Sequence, residues 1–254
     1  MEIEDLHIKE QSTCDSRCVR KSRITPQRHI PTSFDPLPPP TEDDIVLDAR
    51  RCIYCQDAPC AQCCPTNIDV KEFVHAAAAR NWYYAAKIIL SSNPVPLSTG
   101  QLCNCPTQCK GGCNLKNTMA GPIHIGEIQT YCVRRFRAYN IKQIVPPNNG
   151  HKVAVVGAGP SGMSCAAYLR RFGIEVSIFE KESFAGGILA REILPFRVPK
   201  DDTDYEIQLL KDINVNFQFN KELGKDFTVD SLLKDGFECV YLAFGKPDKI
   251  NIPF

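Results

Sequence analysis

The distribution of cysteine is the feature of this sequence that most constrains its fold. The chain has 254 residues and 14 cysteines, and most of these cysteines fall between residues 52 and 113. Thiols at this density indicate either a disulfide framework or the binding of a metal or a metal cluster. The clustered residues are Cys52, Cys55, Cys60, Cys63, Cys64, Cys103, Cys105, Cys109 and Cys113.

The rest of the sequence argues against disulfides. The N-terminus is acidic and polar and lacks the apolar core of a secretory signal. No apolar run approaches the roughly 20 residues needed to span a bilayer, so we expect a cytoplasmic protein with reduced thiols and no membrane partner. The net charge of +1 gives no reason to expect nucleic acid. A hydrophobic content of 43% permits a packed core.

The sequence predicts three segments. Residues 1–41 are polar and rich in proline and should form an extended arm. Residues 42–148 have no strand signal and should be helical. Residues 150–254 begin after a proline and asparagine linker with a β-branched run typical of a buried parallel strand. Helices are expected from Thr41 through Arg51, after Asp69, from Trp82 to Leu90, and from about Glu127 to Tyr139.

The first cysteine group resembles a ferredoxin motif. Its spacing is Cys52-x2-Cys55-x4-Cys60-x3-Cys64-Pro65. Bacterial ferredoxins carry C-x2-C-x2-C-x3-C-P, in which the cysteine before proline binds the neighbouring cluster. The spacing therefore predicts that Cys52, Cys55 and Cys60 bind one iron–sulfur cluster and that Cys64 binds another.

The second cysteine group must complete both clusters. Cys113 could supply the fourth ligand of the first cluster, which leaves Cys64, Cys103 and Cys109 for the second. Seven thiolates are then available for the eight ligand positions of the two clusters. Zinc is the alternative metal, but zinc sites favour repeated Cys-x2-4-Cys pairs, of which this chain has one clean example. The remaining cysteines show no metal pattern and are interpreted as ordinary thiols: Cys14, Cys18, Cys132, Cys165 and Cys239.

A glycine-rich loop follows the first predicted strand. The strand Lys152–Val156 leads into Gly157-Ala158-Gly159-Pro160-Ser161-Gly162, and a helix is expected from Met163 to Phe172. Strand, loop and helix in this order are typical of dinucleotide binding. A second strand from Glu175 ends at Glu180, where an acid accepts hydrogen bonds from ribose hydroxyls and disfavours a 2′-phosphate. The loop therefore suits FAD or NAD rather than NADP.

Several tracts together resemble the amino-terminal part of dihydropyrimidine dehydrogenase, and more loosely the small subunit of glutamate synthase. The resemblance covers roughly residues 36–254. It implies a small all-helical domain with two [4Fe–4S] clusters, followed by a partial Rossmann-like FAD-binding domain. The tracts are Cys64-Pro65-Thr66-Asn67, Lys110-Gly111-Gly112-Cys113-Asn114-Leu115, Gly121-Pro122-Ile123 and the glycine loop with Glu180–Gly187.

The resemblance also implies roles for individual residues. It makes Gln129 the eighth cluster ligand, beside Cys64, Cys103 and Cys109, and it makes Cys63 and Cys105 non-ligands. Arg197 would lie near the flavin. The implied FAD contacts are Leu102, Gly157, Ala158, Gly159, Pro160, Ser161, Glu180, Lys181, Glu182, Ser183, Phe184, Ala185, Gly186, Gly187, Ile188, Arg197 and Leu223.

The function implied is that of an oxidoreductase segment. In the family, NADPH delivers electrons to FAD, iron–sulfur clusters carry them onward, and FMN reduces uracil or thymine in a distant barrel. This chain shows neither a second glycine-loop module for NADPH nor that barrel, so we expect a fragment or truncated product that cannot alone reduce uracil. Its partners would be the rest of a longer enzyme and a second copy. The alternatives are a glutamate synthase-like electron carrier and a zinc-stabilised adaptor.

Overall fold

The computed structural model describes residues 39–103, 107–141 and 143–245. Contacts divide the chain into two compact units. The first comprises Met1–Asn93 and Gly100–Ala138, and the second comprises Pro94–Thr99 and Tyr139–Phe254. Almost all of the predicted arm, with Cys14 and Cys18, lies outside the described residues, and the predicted domain boundaries stay predictions. Within the described ranges, no helix is both long and apolar enough to cross a membrane.

Helices build the first unit. Every regular element that the structure describes in residues 39–103 and 107–141 is a helix. The fifth helix begins in the second unit and ends in the first. The helices are α1 (Glu42–Arg50), α2 (Pro59–Gln62), α3 (Val70–Ala78), α4 (Trp82–Ser92), α5 (Pro96–Leu102), α6 (Cys109–Gly112) and α7 (Ile125–Ala138), with a 3₁₀ helix at Asn114–Asn117.

Polar side chains start three of these helices where the sequence predicts. Thr41 Oγ1 accepts a hydrogen bond from the Asp44 backbone N–H at 3.2 Å, and Asp44 Oδ2 accepts one from the Thr41 N–H at 2.9 Å. This pair forms a capping box on α1. Asp69 caps α3 and Asn81 caps α4 through their side-chain oxygens. These contacts satisfy N–H groups that a helix start leaves without partners.

The core of the first unit lies between α3, α4 and α7. The side chains of Phe73, Ile89 and Ile128 are fully buried where these helices pack. α7 begins at Ile125, two residues before the predicted start, and α4 extends to Ser92. The short helices α2, α5 and α6 were not predicted, because runs of four to seven residues are too short for hydrophobic periodicity to register.

A parallel sheet forms the centre of the second unit. Its strands lie in the order β3-β2-β1-β4, so that Val155 of β1 pairs with Ile178 of β2 and with Tyr241 of β4. The two strands predicted from residues 152 and 175 are confirmed. The elements are β1 (Lys152–Val156), α8 (Pro160–Arg170), β2 (Glu175–Glu180), α9 (Ile188–Arg191), α10 (Lys200–Asp212), β3 (Asn216–Phe219), α11 (Val229–Lys234) and β4 (Cys239–Leu242).

The crossover helix of this unit begins earlier than predicted. α8 starts at Pro160 rather than Met163. Proline suits the first position of a helix because its fixed φ is helical and its missing N–H has no helical partner there. The end of the glycine loop is therefore already the first turn of α8. Met163 and Ala166 of this helix are fully buried against the sheet.

A buried carboxylate holds the beginning of α5 within the second unit. Glu206 of α10 is fully buried and accepts hydrogen bonds from the backbone N–H groups of Leu97 at 2.7 Å and Ser98 at 2.9 Å, and from the Ser98 hydroxyl. Burial raises the pKa of Glu206 to about 7, although these hydrogen bonds oppose that change.

Gly162→Ala is expected to destabilise the second unit. A Cβ atom at residue 162 would lie 2.0 Å from the carbonyl oxygen of Gly157, so α8 would have to move away from the loop. Overpacking of this kind costs about 1–3 kcal/mol. Urea denaturation of the full chain, followed by far-UV circular dichroism, should show a lower midpoint.

Gly159→Ala is the matched control for this substitution. Gly159 has φ −80°, and a Cβ atom there would meet nothing closer than the Gly187 Cα at 3.9 Å. We expect a loss below about 1 kcal/mol, since alanine is only somewhat worse than glycine at a helix N-cap. Equal losses in the two variants would contradict the packing argument.

The raised pKa of Glu206 predicts a pH dependence of stability. The folded chain holds the Glu206 proton more tightly than the unfolded chain, whose value is near 4.5. The folded state therefore loses stability as the pH rises from about 5 to 8, by an amount on the order of 3 kcal/mol. As the pH rises from about 5 to 8, the urea midpoint of the original chain should therefore fall relative to that of Glu206→Gln, which has no titrating group at this position. A difference independent of pH would refute the titration.

Candidate functional site

Four thiols of the two cysteine groups surround one cavity in the first unit. The cavity encloses about 420 Å³, part of which is open to solvent. Its cysteines are Cys52, Cys55 and Cys60, which the sequence spacing predicts to bind one cluster, and Cys113, which could supply the fourth ligand of that cluster. The remaining lining residues are Ile53, Ala58, Pro59, Val70, Lys71, Val74, Asn114, Leu115, Ile123 and Ile125.

Two residues in left-handed conformation bend the segment between Cys52 and Cys60. Tyr54 has φ +52° and Ala58 has φ +39°, in the left-handed region that non-glycine residues seldom occupy. Ala58 directly precedes Pro59, the first residue of α2, the helix that contains Cys60. Both Cys52 and Cys60 line the cavity.

A partly buried carboxylate, that of Asp48, fixes the start of the same segment. Asp48 accepts hydrogen bonds from the His124 backbone N–H at 2.8 Å and from Arg51 Nη1 at 2.6 Å. Arg51 Nη2 in turn donates to the Ala120 carbonyl at 2.9 Å. Burial alone would raise the pKa of Asp48, but the contacts with His124 and Arg51 hold it below its ordinary value. The first cavity thiol, Cys52, is thereby tied to the segment at residues 120–124.

Gly112 allows the second cysteine group to approach the first. A Cβ atom at residue 112 would lie 2.8 Å from the Pro59 carbonyl oxygen and 2.9 Å from Cys63 Sγ. Glycine thus lets α6 pack closely on α2, and Cys113 follows at once. Cys63 packs beside this glycine and is not among the described residues that line the cavity.

The cavity thiols affect one another electrostatically. Burial raises the pKa of Cys60 to about 11, and Cys113 and Cys52 raise it further. Burial also raises the pKa of Cys52, with contributions from Cys113 and Cys55, while the Lys71 ammonium opposes the change. Thiols of this kind must release protons when they bind a metal, so metal binding here is coupled to pH.

The donor set at this cavity fits an iron–sulfur cluster. A [4Fe–4S] cluster is bound by four cysteines, and four cysteines line the cavity. A tetrahedral zinc site needs its ligands about 2.0–2.3 Å from one atom. Within residues 39–103, 107–141 and 143–245, no group of three His, Cys, Asp or Glu side chains that could hold a single ion is found.

The residues predicted for a second cluster are not part of this cavity. Cys109 on α6 and Gln129 on α7 are both 8% exposed, and α6 packs against α7. Cys103 Sγ donates to the side-chain carbonyl of Gln108, and Cys64 Sγ lies 3.4 Å from a threonine hydroxyl. The second ligand set therefore stays a prediction, and Cys105, predicted to be a non-ligand, lies outside the described residues.

Two glycine turns meet at the carboxyl end of β1. Gly157 has φ +109°, and a Cβ atom there would lie 2.5 Å from the carbonyl oxygen of Ala243, which follows β4. A Cβ atom on Gly187 would lie 2.8 Å from the Gly159 Cα, so the second turn requires glycine as well. The Gly186 N–H donates to the Ala158 carbonyl at 2.8 Å. The loop between β1 and α8 is thus braced from two sides.

Glu180 stabilises this loop directly. Its carboxylate is 8% exposed and accepts hydrogen bonds from the Ala158 N–H at 2.7 Å and from the Glu182 N–H at 3.0 Å. A carboxylate has about four lone-pair sites, so acceptor capacity remains for ribose hydroxyls. The loop opens between β2 and β4 on either side of β1, the position where doubly wound sheets bind dinucleotides.

The other predicted flavin contacts are dispersed. Leu102 ends α5 in the first unit, Arg197 is exposed, and Leu223 packs against the buried Ala154 and Leu232 in the second. Ala185 is buried, whereas four other residues of the tract are exposed. Those residues are Lys181, Ser183, Phe184 and Ile188, and like Pro160 and Ser161 they stay predictions as ligand contacts.

Sequence reasoning missed three side chains at these sites. Lys71 and Asn114 line the cavity, and the Tyr241 hydroxyl lies 3.1 Å from the Ser161 hydroxyl at the start of α8. Lys71 follows a helix cap, and Asn114 follows a cysteine. The cap gives Lys71 no role beyond that of an ordinary surface residue. Asn114 lies in the tract Lys110–Leu115, which indicates the family resemblance but not a contact with a thiol.

Two family models match the chain, one over each of its two sequence regions. Residues 32–141 match the family model for dihydropyrimidine dehydrogenase domain II, 4Fe-4S cluster, and residues 155–221 match that for an NAD(P)-binding Rossmann-like domain. The NAD-dependent dihydropyrimidine dehydrogenase subunit PreT of Escherichia coli O157:H7 is 34% identical over 210 residues, 82% of this chain and 50% of the relative. The same subunit from Salmonella typhimurium strain LT2 is 32% identical with the same coverage.

The chain spans about half the length of the curated relatives it matches. A solved structure, histamine dehydrogenase from Rhizobium sp. 4-9, is 31% identical over 41% of this chain and 15% of its own, with a TM-score of 0.33. Over residues 32–141 the chain therefore belongs to the iron–sulfur domain family of dihydropyrimidine dehydrogenase, and a Rossmann-like domain of the NAD(P)-binding type follows it.

Proposed function

We propose that this chain is the electron-transfer segment of an oxidoreductase of the dihydropyrimidine dehydrogenase type, carrying electrons between FAD and two [4Fe–4S] clusters. The observation that supports this most directly is the convergence of Cys52, Cys55, Cys60 and Cys113 on one cavity. These residues belong to two groups far apart in the sequence, and ordinary buried thiols have no reason to meet in this way.

The four cavity cysteines would hold the first cluster. A [4Fe–4S] cluster bound there supplies one-electron transfer. The protein provides four thiolates and a largely apolar wall that includes Val70, Val74 and Ile125. Such a wall limits the access of water to the sulfurs, which is one of the levers that sets cluster potential.

Cys64, Cys103, Cys109 and Gln129 would hold the second cluster. The family resemblance supports this set, as does the burial of Cys109 and Gln129 on the packed helices α6 and α7. The neutral amide of Gln129 in place of a charged thiolate would raise the potential of that cluster, because the bound group carries one negative charge fewer.

The glycine loop would hold the pyrophosphate of FAD. α8 begins directly after the glycine loop and has no side-chain cap at Gly159, as suits a helix start that binds phosphate, and Glu180 has acceptor capacity for the ribose. Since an acid at this position disfavours a 2′-phosphate, this loop is proposed to bind FAD and not NADP. Arg197 would lie near the flavin and favour its reduced, anionic form.

The complete reaction would need more than this chain. We assign the oxidation of NADPH, or of the NADH that the name of the Escherichia coli relative indicates, to the rest of a longer enzyme or to a partner subunit. Reduction of uracil or thymine at FMN belongs there too, and no catalytic residue is assigned here. Pairing with a second copy and a cytoplasmic location complete the proposal.

Metal analysis tests the cluster assignment. The anaerobically purified chain should contain about eight irons and eight sulfides, since each [4Fe–4S] cluster contributes four of each. Cys113→Ala should lose roughly half of both, because it removes one ligand of the first cluster only. Cys239→Ala, at an exposed position of β4, is the control and should lose none. One zinc per chain without sulfide would instead support the adaptor alternative.

Flavin retention tests the nucleotide site. Gly159→Ala should weaken FAD binding roughly tenfold or more, which is about 1.4 kcal/mol, because its methyl group occupies the space where the pyrophosphate approaches the backbone. Lys234→Ala, exposed at the end of α11, is the control. The FAD affinity of both variants is measured by titrating the reconstituted chain with FAD and following flavin absorbance and fluorescence. An affinity unchanged by Gly159→Ala would argue against this loop as the FAD site, and preferential binding of NAD would reassign it.

A further inference from the structure

The wall of the thiol cavity is apolar with two exceptions. Among the described lining residues other than the cysteines, Lys71 alone carries a charge and Asn114 alone carries a side-chain amide. Asn114 is exposed to solvent and Lys71 is partly buried, so both act on the thiols from the open side of the cavity. These two side chains are therefore the polar influences on whatever the thiols bind.

Asn114 contacts one of the thiols directly. Its Nδ2 donates a hydrogen bond to Cys55 Sγ at 3.3 Å. Asn114 begins the 3₁₀ helix immediately after Cys113, so the same residue lies beside thiols from both cysteine groups. An amide donor favours the sulfur with more negative charge, since the N–H dipole points its positive end at the sulfur.

Lys71 is held at the cavity by an aromatic ring. Its Nζ lies 4.5 Å from the centroid of the Tyr54 ring, a cation–π contact. The Tyr54 ring is itself fixed on α3, because its hydroxyl donates to Glu72 Oε2 at 2.7 Å and the ring packs on His75 with centroids 4.9 Å apart. Lys71 lines the same cavity as the four thiols, so its ammonium group belongs to the site that they form.

We propose that Asn114 and Lys71 raise the reduction potential of the cluster bound by the four cavity cysteines. This inference rests on the proposed function. Reduction adds one electron and forms or breaks no bond, so the bound group gains one negative charge. The amide donor and the ammonium stabilise that charge, and they stabilise the reduced state more than the oxidised state. The two residues hold no iron themselves and act through the cysteines.

A redox titration of the anaerobically purified full chain tests this. Dithionite is the reductant, and electron paramagnetic resonance follows the two clusters. Asn114→Ala and Lys71→Met should each shift one of the two midpoint potentials downward. The reduction equilibrium should fall several-fold and up to about tenfold, which corresponds to about 59 mV for one electron. Iron and sulfide content should stay at the level of the original chain.

Matched controls separate this effect from a general disturbance. Asn117→Ala changes an exposed asparagine on the same 3₁₀ helix, and Lys87→Met changes an exposed lysine on α4. Neither Asn117 nor Lys87 is among the described residues that line the cavity. Both should leave the two potentials unchanged. Asn114→Asp serves as a second variant of nearly the same size, and it should lower the potential further because a carboxylate adds negative charge and donates no hydrogen bond.

Each outcome decides the proposal. Full iron content with unchanged potentials in the Asn114 and Lys71 variants would overturn it, as would equal shifts in the controls. If Asn114→Ala loses its cluster, the potential of Asn114→Asp decides in its place, and loss of the cluster in both variants makes Asn114 a structural residue. If the original chain binds no iron and sulfide, the proposed function itself fails, and the metal analysis identifies that failure separately.

Discussion

The convergence of four thiols on one cavity is the constraint on which the first unit depends. Cys52 and Cys55 lie on one loop, Cys60 lies in α2 directly after it, and Cys113 comes from a distant part of the chain. The helices around them are short, and α2 and α6 have only four residues each. Helices of that length are not stable alone. The packing at Gly112 and the hydrogen bonds of Asp48 set the geometry that a bound cluster would then reinforce.

The second unit depends on contacts between backbones. Gly157, Gly162 and Gly187 each lie where a Cβ atom would overlap a neighbouring main-chain atom, so β1, α8 and the second glycine turn pack without side chains between them. Gly159 differs, because the space beside it is open. Three glycines of this region thus serve the fold, and one leaves room for a ligand. The Glu180 carboxylate serves both purposes, since it braces the loop and keeps acceptor capacity.

The sequence was most informative where chemistry is local. A helix cap such as Thr41 needs only a partner three residues away, and the pattern that predicts it is confirmed by the capping box on α1. The strand at Lys152–Val156 is likewise confirmed, because a short β-branched run before a glycine loop has few other structures. It was least informative for α5, which begins and ends in different units and whose first turn is held by the distant Glu206.

The sequence alone determined the cysteine groups, the glycine loop and the acid at its partner strand, because these depend on residue type and short spacing. Only the tertiary structure decided that Cys113 meets the first group, since that requires α6 to pack on α2 across an interval that spacing does not describe. It also decided that Lys71 and Asn114 lie at the same cavity. Their roles depend on distances to sulfur and to an aromatic ring, which arise only after the chain has folded.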